Sequence, residues 1–528
     1  MALVAMLVAM VMTMLVLPPL GGLAHRVGIL AYPDARKTHR GAVPQIGGVA
    51  IALSALVAMS LLLTPGPSFF AYLVGALIVF LLGLLDDYRE LDYRLKFAVH
   101  CVAATIAVVG AGLDVVPLNE PLSDLPVWLA LPVAIVLLTG TTNAINLVDG
   151  LDGLAGGLTL LSCLALAICG LQAQSALVLV ITLTVAGGVV GFLRFNTHPA
   201  RVFMGDNGAF FLGFSLGFVA LELCRVEPGS TSLTAVVMML GVPVMDAMML
   251  PFRRKYRGRH PFLSDRSHLH HVLIEAGFSH ASAVALIYAY HTALIVLGYT
   301  LQQQNEIVLL AIYVSIAALV EASPKLLAPV RDLWRRRRVT VRAAAWFDRG
   351  LDTFAWFALL GFVVASVGTA QVSADFFAGA SVLLVILLGW WAYRPGGAIG
   401  WPERCALYVL GAYTVYLGRP DVGSFGSVVE WLSFGVVGVW LVYRLVRSGG
   451  RDFTLTPLDL IVVVTTVCLA LLSRQAIDDV AFGVIELVVW FYAMELLATR
   501  STRAIWLRAL AFLGLGLIMA RGAAGMFI

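Results

Sequence analysis

The chain has 528 residues, of which 60% are hydrophobic and 12% are charged, and its formal net charge is +4. A soluble domain carries about twice that charged fraction, so this composition, with a mean hydropathy of +0.92, excludes a soluble globular protein. Apolar runs of about 17–21 residues recur along the chain, and each is long enough to cross roughly 30 Å of hydrocarbon as a helix. The alternating pattern of membrane β-strands is not evident. We therefore predict an all-α polytopic integral membrane protein.

The apolar runs predict about 18 membrane spans, which a basic stretch divides into two groups. Eleven spans are predicted before that stretch, at residues 2–20, 46–64, 68–85, 95–110, 126–142, 154–171, 175–194, 208–224, 231–250, 281–300 and 306–322. Seven are predicted after it, at residues 352–371, 375–392, 403–418, 427–445, 457–473, 479–497 and 503–520.

The loops between these spans alternate in charge. Loops on one side contain basic stretches such as RFNTHPAR and RRKYRGRHPFLSDRSHLHH, whereas loops on the other side read TPGPS, GLQAQ and QQQNE. Basic loops of membrane proteins remain in the cytoplasm. The alternation predicts an N-terminus outside the cell and supports the number of spans, because a miscounted span would disrupt it.

The basic segment 325–349, which includes Arg335, Arg336, Arg337 and Arg338, is typical of an anchor at anionic lipid head groups. It predicts three regions: a membrane-embedded unit at 1–325, a basic cytoplasmic linker at 326–350 and a C-terminal transmembrane module at 351–528. Two stretches of the C-terminal module, GWPERCALYVLGAYTVYLGRPDVGSFG and RDFTLTPLDLIVVV, are faintly similar to parts of membrane polysaccharide polymerases. The simpler alternative is a module for packing or for docking partner enzymes.

Polar residues gather at four places that the predicted topology puts on the cytoplasmic side. They are Asp86 and Asp87 after the third span, Asn143, Asn146, Asp149 and Asp152 after the fifth, Asn196 and Asp206 between the seventh and eighth, and Arg266, His268, His270 and His271 after the ninth. Each group alone is explained by a solvated helix end or by turn chemistry. All four groups lie on the same predicted side of the membrane, and the glycines around them would let the backbone approach a ligand closely. We therefore interpret them as one functional site.

Phosphoryl transfer at the membrane surface is the chemistry that fits these residues. Clustered Asp and Asn side chains are hard oxygen ligands suited to Mg²⁺ or Mn²⁺. Surplus carboxylates can act as a base, and His and Arg can neutralise the charge of a pyrophosphate. A nucleotide donor would arrive from the cytoplasm, and a lipid phosphate would be the acceptor. A transporter is the alternative, but transporter sites lie near the bilayer midplane rather than at helix ends.

Five motifs carry a resemblance to a known family. RKTHRGAVPQIGG, GLLDDYREL, NAINLVDGLDGLAGG, FNTHPARVFMGDNG and RGRHPFLSDRSHLHHVL resemble, in family order, the polyprenyl-phosphate N-acetylhexosamine-1-phosphate transferases of glycosyltransferase family 4. The resemblance covers about residues 1–325 and implies a helical bundle of ten or eleven spans in the bacterial cytoplasmic (inner) membrane. It implies transfer of a sugar 1-phosphate from a UDP-sugar to undecaprenyl phosphate, with release of UMP, at the start of O-antigen or other cell-envelope polysaccharide synthesis.

The resemblance also implies roles for individual residues. Asp206, with Asp149, would coordinate Mg²⁺ or Mn²⁺, and Asp86 and Asp87 would engage the lipid phosphate or the metal, with Asp86 as the candidate base. Asp149 and Asp152 would assist catalysis. The implied substrate-binding residues are Lys96, Asn143, Asn146, Asn196, Arg266, His268, His270 and His271. His100 departs from the family pattern, because relatives often carry Gln after the lysine that Lys96 matches.

Several alternatives remain open at this point. The stretch PFLSDRSHLHH is most similar to the branch that uses UDP-N-acetylglucosamine, but UDP-FucNAc, UDP-GalNAc or UDP-MurNAc-pentapeptide would serve the same chemistry. Direct displacement and a covalent aspartyl intermediate are both compatible with the residues. The expected partners are the UDP-sugar, undecaprenyl phosphate, membrane lipids, a second copy of the chain and later enzymes of the pathway, and no nucleic acid. A transporter of lipid-linked sugars or a scaffold is the remote alternative.

Overall fold

The structure is a computed structural model. It describes residues 2–31, 42–63, 66–113, 126–226, 232–256, 268–326, 353–364, 374–393 and 504–526, together with Gly258 and isolated positions between 403 and 494. The described residues up to 326 belong to one compact unit, and those from 353 onward belong to a second. The predicted linker 326–350, apart from Leu326, lies outside the described residues, as do Arg266 and most of the module at 351–528. The predicted boundaries of the three regions therefore stay predictions.

Helices make up almost all of the described first unit. They are α1 (Ala2–Val27), α2 (Gly47–Leu62), α3 (Pro67–Tyr88), α4 (Tyr93–Ala111), α5 (Val127–Val148), α6 (Leu154–Gln172), α7 (Ala176–Asn196), α8 (Gly205–Val226), α9 (Leu233–Leu240), α10 (Val242–Tyr256), α11 (Leu269–Glu275), α12 (His280–Thr300) and α13 (Glu306–Leu326). The described helices of the second unit are α14 (Thr353–Val364), α15 (Ala374–Tyr393) and α16 (Ala504–Met526).

The all-α polytopic class is confirmed. Among the described residues, nine helices are long and apolar enough to cross a membrane, and the bent pair α9–α10 could form a tenth span. Every one of the eleven predicted apolar runs in the first unit is helical, but α2 has only 16 residues. The totals of eleven and seven spans stay predictions.

Helix α8 lies at the centre of the first unit and is buried along most of its length. Small residues let its neighbours approach closely, as is common between membrane helices. A Cβ added to Gly83 of α3 would lie 2.6 Å from the backbone nitrogen of Asn207, and one added to Gly48 of α2 would lie 2.2 Å from that of Gly208. These contacts place the beginning of α2 and the C-terminal part of α3 against the beginning of α8.

A short antiparallel pair, β1 (Leu30–Ala31) and β2 (Val43–Pro44), leads into α2. The segment that follows is tied to the loop before α8, because the Phe203 N–H donates to Pro44 O at 2.9 Å and the Gly47 N–H donates to Phe203 O at 2.9 Å. The motif VPQIGG is therefore part of the support for FMGDNG.

The run 231–250, which we predicted as one span, is broken. Helices α9 and α10 meet at an angle of 91° at Gly241, whose φ is +66°. His291 of α12 stabilises the break: its Nδ1 accepts the Val242 N–H at 3.1 Å, and its Nε2 lies 3.0 Å from Leu158 O. Since Nδ1 accepts, the proton is on Nε2, and His291 joins α12 to both α10 and α6 by hydrogen bonds.

Candidate active site

Asp87 joins the end of α3 to the beginning of α8. Its Oδ1 accepts the backbone N–H of Asp206 at 2.8 Å, and its Oδ2 accepts that of Asn207 at 3.1 Å and also the Asn207 side-chain amide. A carboxylate here also complements the positive end of the α8 dipole. Gly205 is needed for this approach, because its φ is +78° and an added Cβ would lie 2.8 Å from Asp87 Oδ2.

Asp86 faces different partners although it is the next residue. Its Oδ1 accepts the Leu91 N–H at 2.8 Å, and its Oδ2 accepts from Lys96 Nζ at 2.8 Å. The carboxyl group is almost fully buried, while the Lys96 side chain keeps 27% of its surface exposed. Lys96 therefore presents a positive charge at the edge of the carboxylate cluster.

Asp206 completes the cluster. Its Oδ1 accepts from Asn146 Nδ2 of α5 at 2.7 Å, and its carboxyl group lies within hydrogen-bonding reach of that of Asp86. Two carboxyl groups in contact repel each other when both are ionised, so a shared proton or a bound cation must compensate. Because carboxylate oxygens are hard ligands, the cluster suits a hard divalent cation.

The loop between α5 and α6 adds two more carboxylates. Desolvation by the surrounding protein, followed by the charges of Asp87 and Asp152, raises the pKa of Asp149 to about 7. Asp149 nevertheless keeps open surface, so cations from solvent can reach it and favour its ionised form. Asp152 turns toward the loop between α7 and α8, where its Oδ2 lies 2.7 Å from His198 Nδ1 and accepts the Ala200 N–H at 3.1 Å.

Two of the side-chain amides predicted at the site, those of Asn196 and Asn143, form hydrogen bonds to the helices and loops around it. Asn196 is buried, its Oδ1 accepts the Gly153 N–H at 2.9 Å, and its Nδ2 donates to Val202 O at 2.9 Å. Asn143 Nδ2 donates to Thr139 O at 2.8 Å and lies 3.2 Å from Nδ1 of the buried His100. His100, the departure from the family pattern, thus contacts one of the predicted site residues.

The histidines of HLHH are placed by α11. The ring of His270 packs against the loop that bears Asp149, since a Cβ added to Gly150 would lie 2.1 Å from His270 Nε2. Burial and then the neighbouring His271 lower the pKa of His270 to about 3, so its imidazole is neutral at pH 7. Neither ring nitrogen of His270 has a hydrogen-bond partner among the described residues.

Asp246 of α10 is a site residue that the sequence analysis missed. Its Oδ2 lies 3.0 Å from His268 Nδ1, and its Oδ1 accepts the Leu269 N–H at 3.0 Å. Arg253 bridges Asp246 to Glu321 of α13. A lone carboxylate in an apolar run, seven residues before an arginine, was the available signal.

Part of the chain is similar to a known protein family. The sequence profile of glycosyl transferase family 4 matches residues 69–224. A Bacillus subtilis (strain 168) protein named "Probable undecaprenyl-phosphate N-acetylglucosaminyl 1-phosphate transferase" is 34% identical over 293 residues, which are 54% of this chain and 80% of that protein.

Two further relatives come from other bacterial groups. The decaprenyl-phosphate N-acetylglucosaminephosphotransferase of Mycolicibacterium smegmatis is 35% identical over 304 residues, covering 50% of this chain and 73% of that protein. The undecaprenyl-phosphate alpha-N-acetylglucosaminyl 1-phosphate transferase of Escherichia coli (strain K12) is 27% identical over 286 residues, covering 50% of this chain and 74% of that protein. The identity and coverage show that this chain belongs to glycosyl transferase family 4, in the branch of the polyprenyl-phosphate N-acetylglucosaminyl 1-phosphate transferases.

Proposed function

We propose that this chain transfers N-acetylglucosamine 1-phosphate from UDP-N-acetylglucosamine to undecaprenyl phosphate and releases UMP, at the cytoplasmic face of the bacterial inner membrane. One observation carries the proposal: the ends of α3, α5 and α8 bring Asp86, Asp87, Asn146 and Asp206 into one cluster. The relatives' names supply the donor sugar and the acceptor.

Mg²⁺ or Mn²⁺ fits this cluster. Asp206 and Asp149 are the candidate ligands, because both oxygens of Asp87 are already occupied by N–H donors from the start of α8. When bound, the cation would neutralise diphosphate charge as it develops during transfer.

Side chains of the protein have separate proposed roles toward the lipid acceptor and the nucleotide donor. Lys96, held by Asp86, supplies a positive charge for the phosphate of the lipid acceptor, and Asp86 is the candidate base for the proton of that phosphate. His268 and His270 lie on the donor side, where Asp246 and Gly150 fix their rings. The lipid phosphate oxygen forms the new bond to the sugar-linked phosphorus, and the bond from that phosphorus to UMP breaks.

Direct displacement is favoured over an intermediate on Asp87. A carboxylate that accepts three hydrogen bonds has its lone pairs engaged and its charge stabilised, which makes it a poor nucleophile. In this proposal the attacking atom is therefore an oxygen of the lipid phosphate rather than one of Asp87.

A transfer assay tests the proposal. Full-length protein purified in detergent would be mixed with undecaprenyl phosphate, Mg²⁺ and, in separate reactions, UDP-GlcNAc, UDP-GalNAc, UDP-FucNAc or UDP-MurNAc-pentapeptide, and UMP release would be measured. We expect release with UDP-GlcNAc that requires both the lipid and the metal. Release with a different donor would correct the sugar, and folded protein that releases no UMP with any donor would refute the transferase.

Replacement of Gly150 by alanine should separate the loop of Asp149 from the histidine motif. The new Cβ would overlap the ring of His270, so either the ring or the loop must move. A misplacement of about 1 Å can cost on the order of 10²-fold in rate, and we expect a loss of that size in UMP release.

Gly140→Ala is the matched control for Gly150→Ala. Gly140 lies in the same helix–loop unit, within α5, and a Cβ added there meets nothing within 4 Å. Its activity should equal that of the wild type. Equal activities of the two alanine variants would contradict the contact between loop and histidine.

Replacement of Asp246 by asparagine should raise KM for the UDP-sugar more than it lowers kcat. The Asp246 carboxylate fixes the His268 proton on Nδ1, and an asparagine amide would instead donate to that nitrogen and reverse the tautomer. The loss of such an orienting partner costs about 10–100-fold.

Glu222→Gln is the control for Asp246→Asn. It also breaks a buried carboxylate's ion pair, with Arg225, but Glu222 lies at the opposite end of α8 from Asp206. Its KM for the donor should be unchanged. A parallel rise of KM in both variants would show that the effect comes from general destabilisation.

A further inference from the structure

A second group of metal-ligand side chains lies beside the carboxylate cluster. Asp152 comes from the loop between α5 and α6, His198 from the loop between α7 and α8, and His280 is the first residue of α12. One ligand atom from each residue lies within 4.8 Å of the other two. Three segments that are distant in sequence therefore converge on one point.

Contacts within this group hold its three side chains beside one another. His198 Nδ1 lies 2.7 Å from Asp152 Oδ2, and the rings of His198 and His280 stack with centroids 4.3 Å apart and an interplanar angle of 22°. The Ala200 N–H also donates to Asp152 Oδ2. The carboxylate is thus held in place while the two imidazoles lie side by side.

His280 supplies the observation that points to a ligand. Its two ring nitrogens are buried and have no hydrogen-bond partner among the described residues. Leaving a buried polar atom unsatisfied is unfavourable, so such atoms in native proteins call for an explanation. A cation bound between His280, His198 and Asp152 would satisfy one of these nitrogens.

We propose that Asp152, His198 and His280 form a second divalent-metal site, which takes a borderline ion of the Zn²⁺ class in preference to Mg²⁺. Imidazole nitrogens suit Zn²⁺ and related transition ions, whereas Mg²⁺ takes oxygen ligands. Two histidines and one carboxylate leave a fourth position open, as in zinc sites that exchange ligands. Binding requires each of the three donors to reach a metal–ligand distance of about 2.1 Å, with the ion replacing the hydrogen bond between His198 and Asp152.

An ion bound at this second site would connect α12 to the loop between α5 and α6. Asp152 belongs to the loop that bears Asp149, and Tyr288 of α12 already holds this loop through a 2.7 Å hydrogen bond to Gly153 O. A bound ion would add a second tie between α12 and the loop and would withdraw Asp152 from other partners. If the proposed transfer is correct, micromolar Zn²⁺ should inhibit it even in millimolar Mg²⁺.

Binding is tested without any transfer reaction. Tag-free full-length protein in detergent would be stripped with a chelator, placed in millimolar Mg²⁺ and titrated with Co²⁺, whose visible absorption reports nitrogen and oxygen ligands. The wild type would be compared with His198→Ala, His280→Ala, His280→Gln and the control His25→Ala, an exposed histidine in the last turn of α1. His280→Gln keeps the size of the side chain, so it preserves the test if the alanine variant does not fold.

We expect the wild type and His25→Ala to bind one more equivalent of Co²⁺ than the His198 and His280 variants, and Zn²⁺ to compete for that equivalent. Loss of one of three ligands should weaken binding at least about tenfold. Identical stoichiometry and spectra in all folded variants would overturn the second site. Metal binding without UMP release would leave the second site standing and refute only the proposed transfer.

Discussion

Asp206→Asn should lower the rate of UMP release by about 10²–10³-fold, which is the effect of removing one preorganised electrostatic group from an active site. The substitution removes charge and little else. Asparagine Oδ1 can still accept from Asn146 Nδ2, and the backbone N–H of residue 206 still donates to Asp87. The fold should therefore survive, and the remaining activity should need a higher Mg²⁺ concentration.

Asp92→Asn is the matched control, since it makes the same chemical change near the same helix ends. Asp92 is the N-cap of α4, where it accepts the Arg94 N–H, and asparagine caps a helix about as well as aspartate. We expect no change in its rate or metal dependence. An Asp206→Asn enzyme with wild-type rate and wild-type Mg²⁺ dependence would remove Asp206 from the proposed metal site.

The helices and the grouping of the carboxylates could be predicted from the sequence for a simple physical reason. An apolar run long enough to span hydrocarbon must satisfy its backbone internally as a helix, and the runs that end on the predicted cytoplasmic side are followed by the charged residues. The alternating charge of the loops then assigns those ends to sides. Asp86, Asp149 and Asp206 could be grouped in this way. Asp87, the neighbour of Asp86, is 119 residues away from Asp206 along the chain.

The contacts of each individual carboxylate in the cluster could not be predicted, because they depend on how the helices cross. Which of two adjacent aspartates faces α8 is decided by the close contact at Gly83. Similarly, Asp246 meets His268 because the chain turns by 91° at Gly241. Gly241 followed by Pro243 was the available signal for the break, because glycine is favoured just after a helix and proline in the first turn of the next, but the apolar run 231–250 is also long enough for a single span.

The His280 environment is another feature that packing creates. In the sequence, His280 is one polar residue at the start of an apolar run, and His198 is one of several polar residues in a loop. Their stacking requires the beginning of α12 to reach the loop between α7 and α8. Contacts between segments more than 80 residues apart are invisible to residue spacing, whereas ligand pairs on one helix are not.

Asp86→Asn and Asp87→Asn should separate catalysis from stability, although the two residues are adjacent and the chemical change is the same. In Asp86→Asn the new amide keeps an acceptor for the Leu91 N–H and loses the Lys96 ion pair, which is worth about 1 kcal/mol or less because Lys96 is partly exposed. We expect an unchanged melting temperature and about a 10²-fold lower rate, the usual contribution of a general base.

Asp87→Asn has a different effect because one amide oxygen cannot replace a carboxylate that accepts three N–H groups, and the new NH₂ would face the Asn207 amide. Each unsatisfied buried donor costs about 1–3 kcal/mol, so the melting temperature of Asp87→Asn should fall clearly below that of Asp86→Asn. Thermal unfolding and UMP release measured on both variants supply the check. Parallel losses of stability and rate in the two variants would show that the pair acts as one unit; a stable but inactive Asp86→Asn beside an unstable Asp87→Asn would establish that Asp87 anchors α8 while Asp86 faces the substrate.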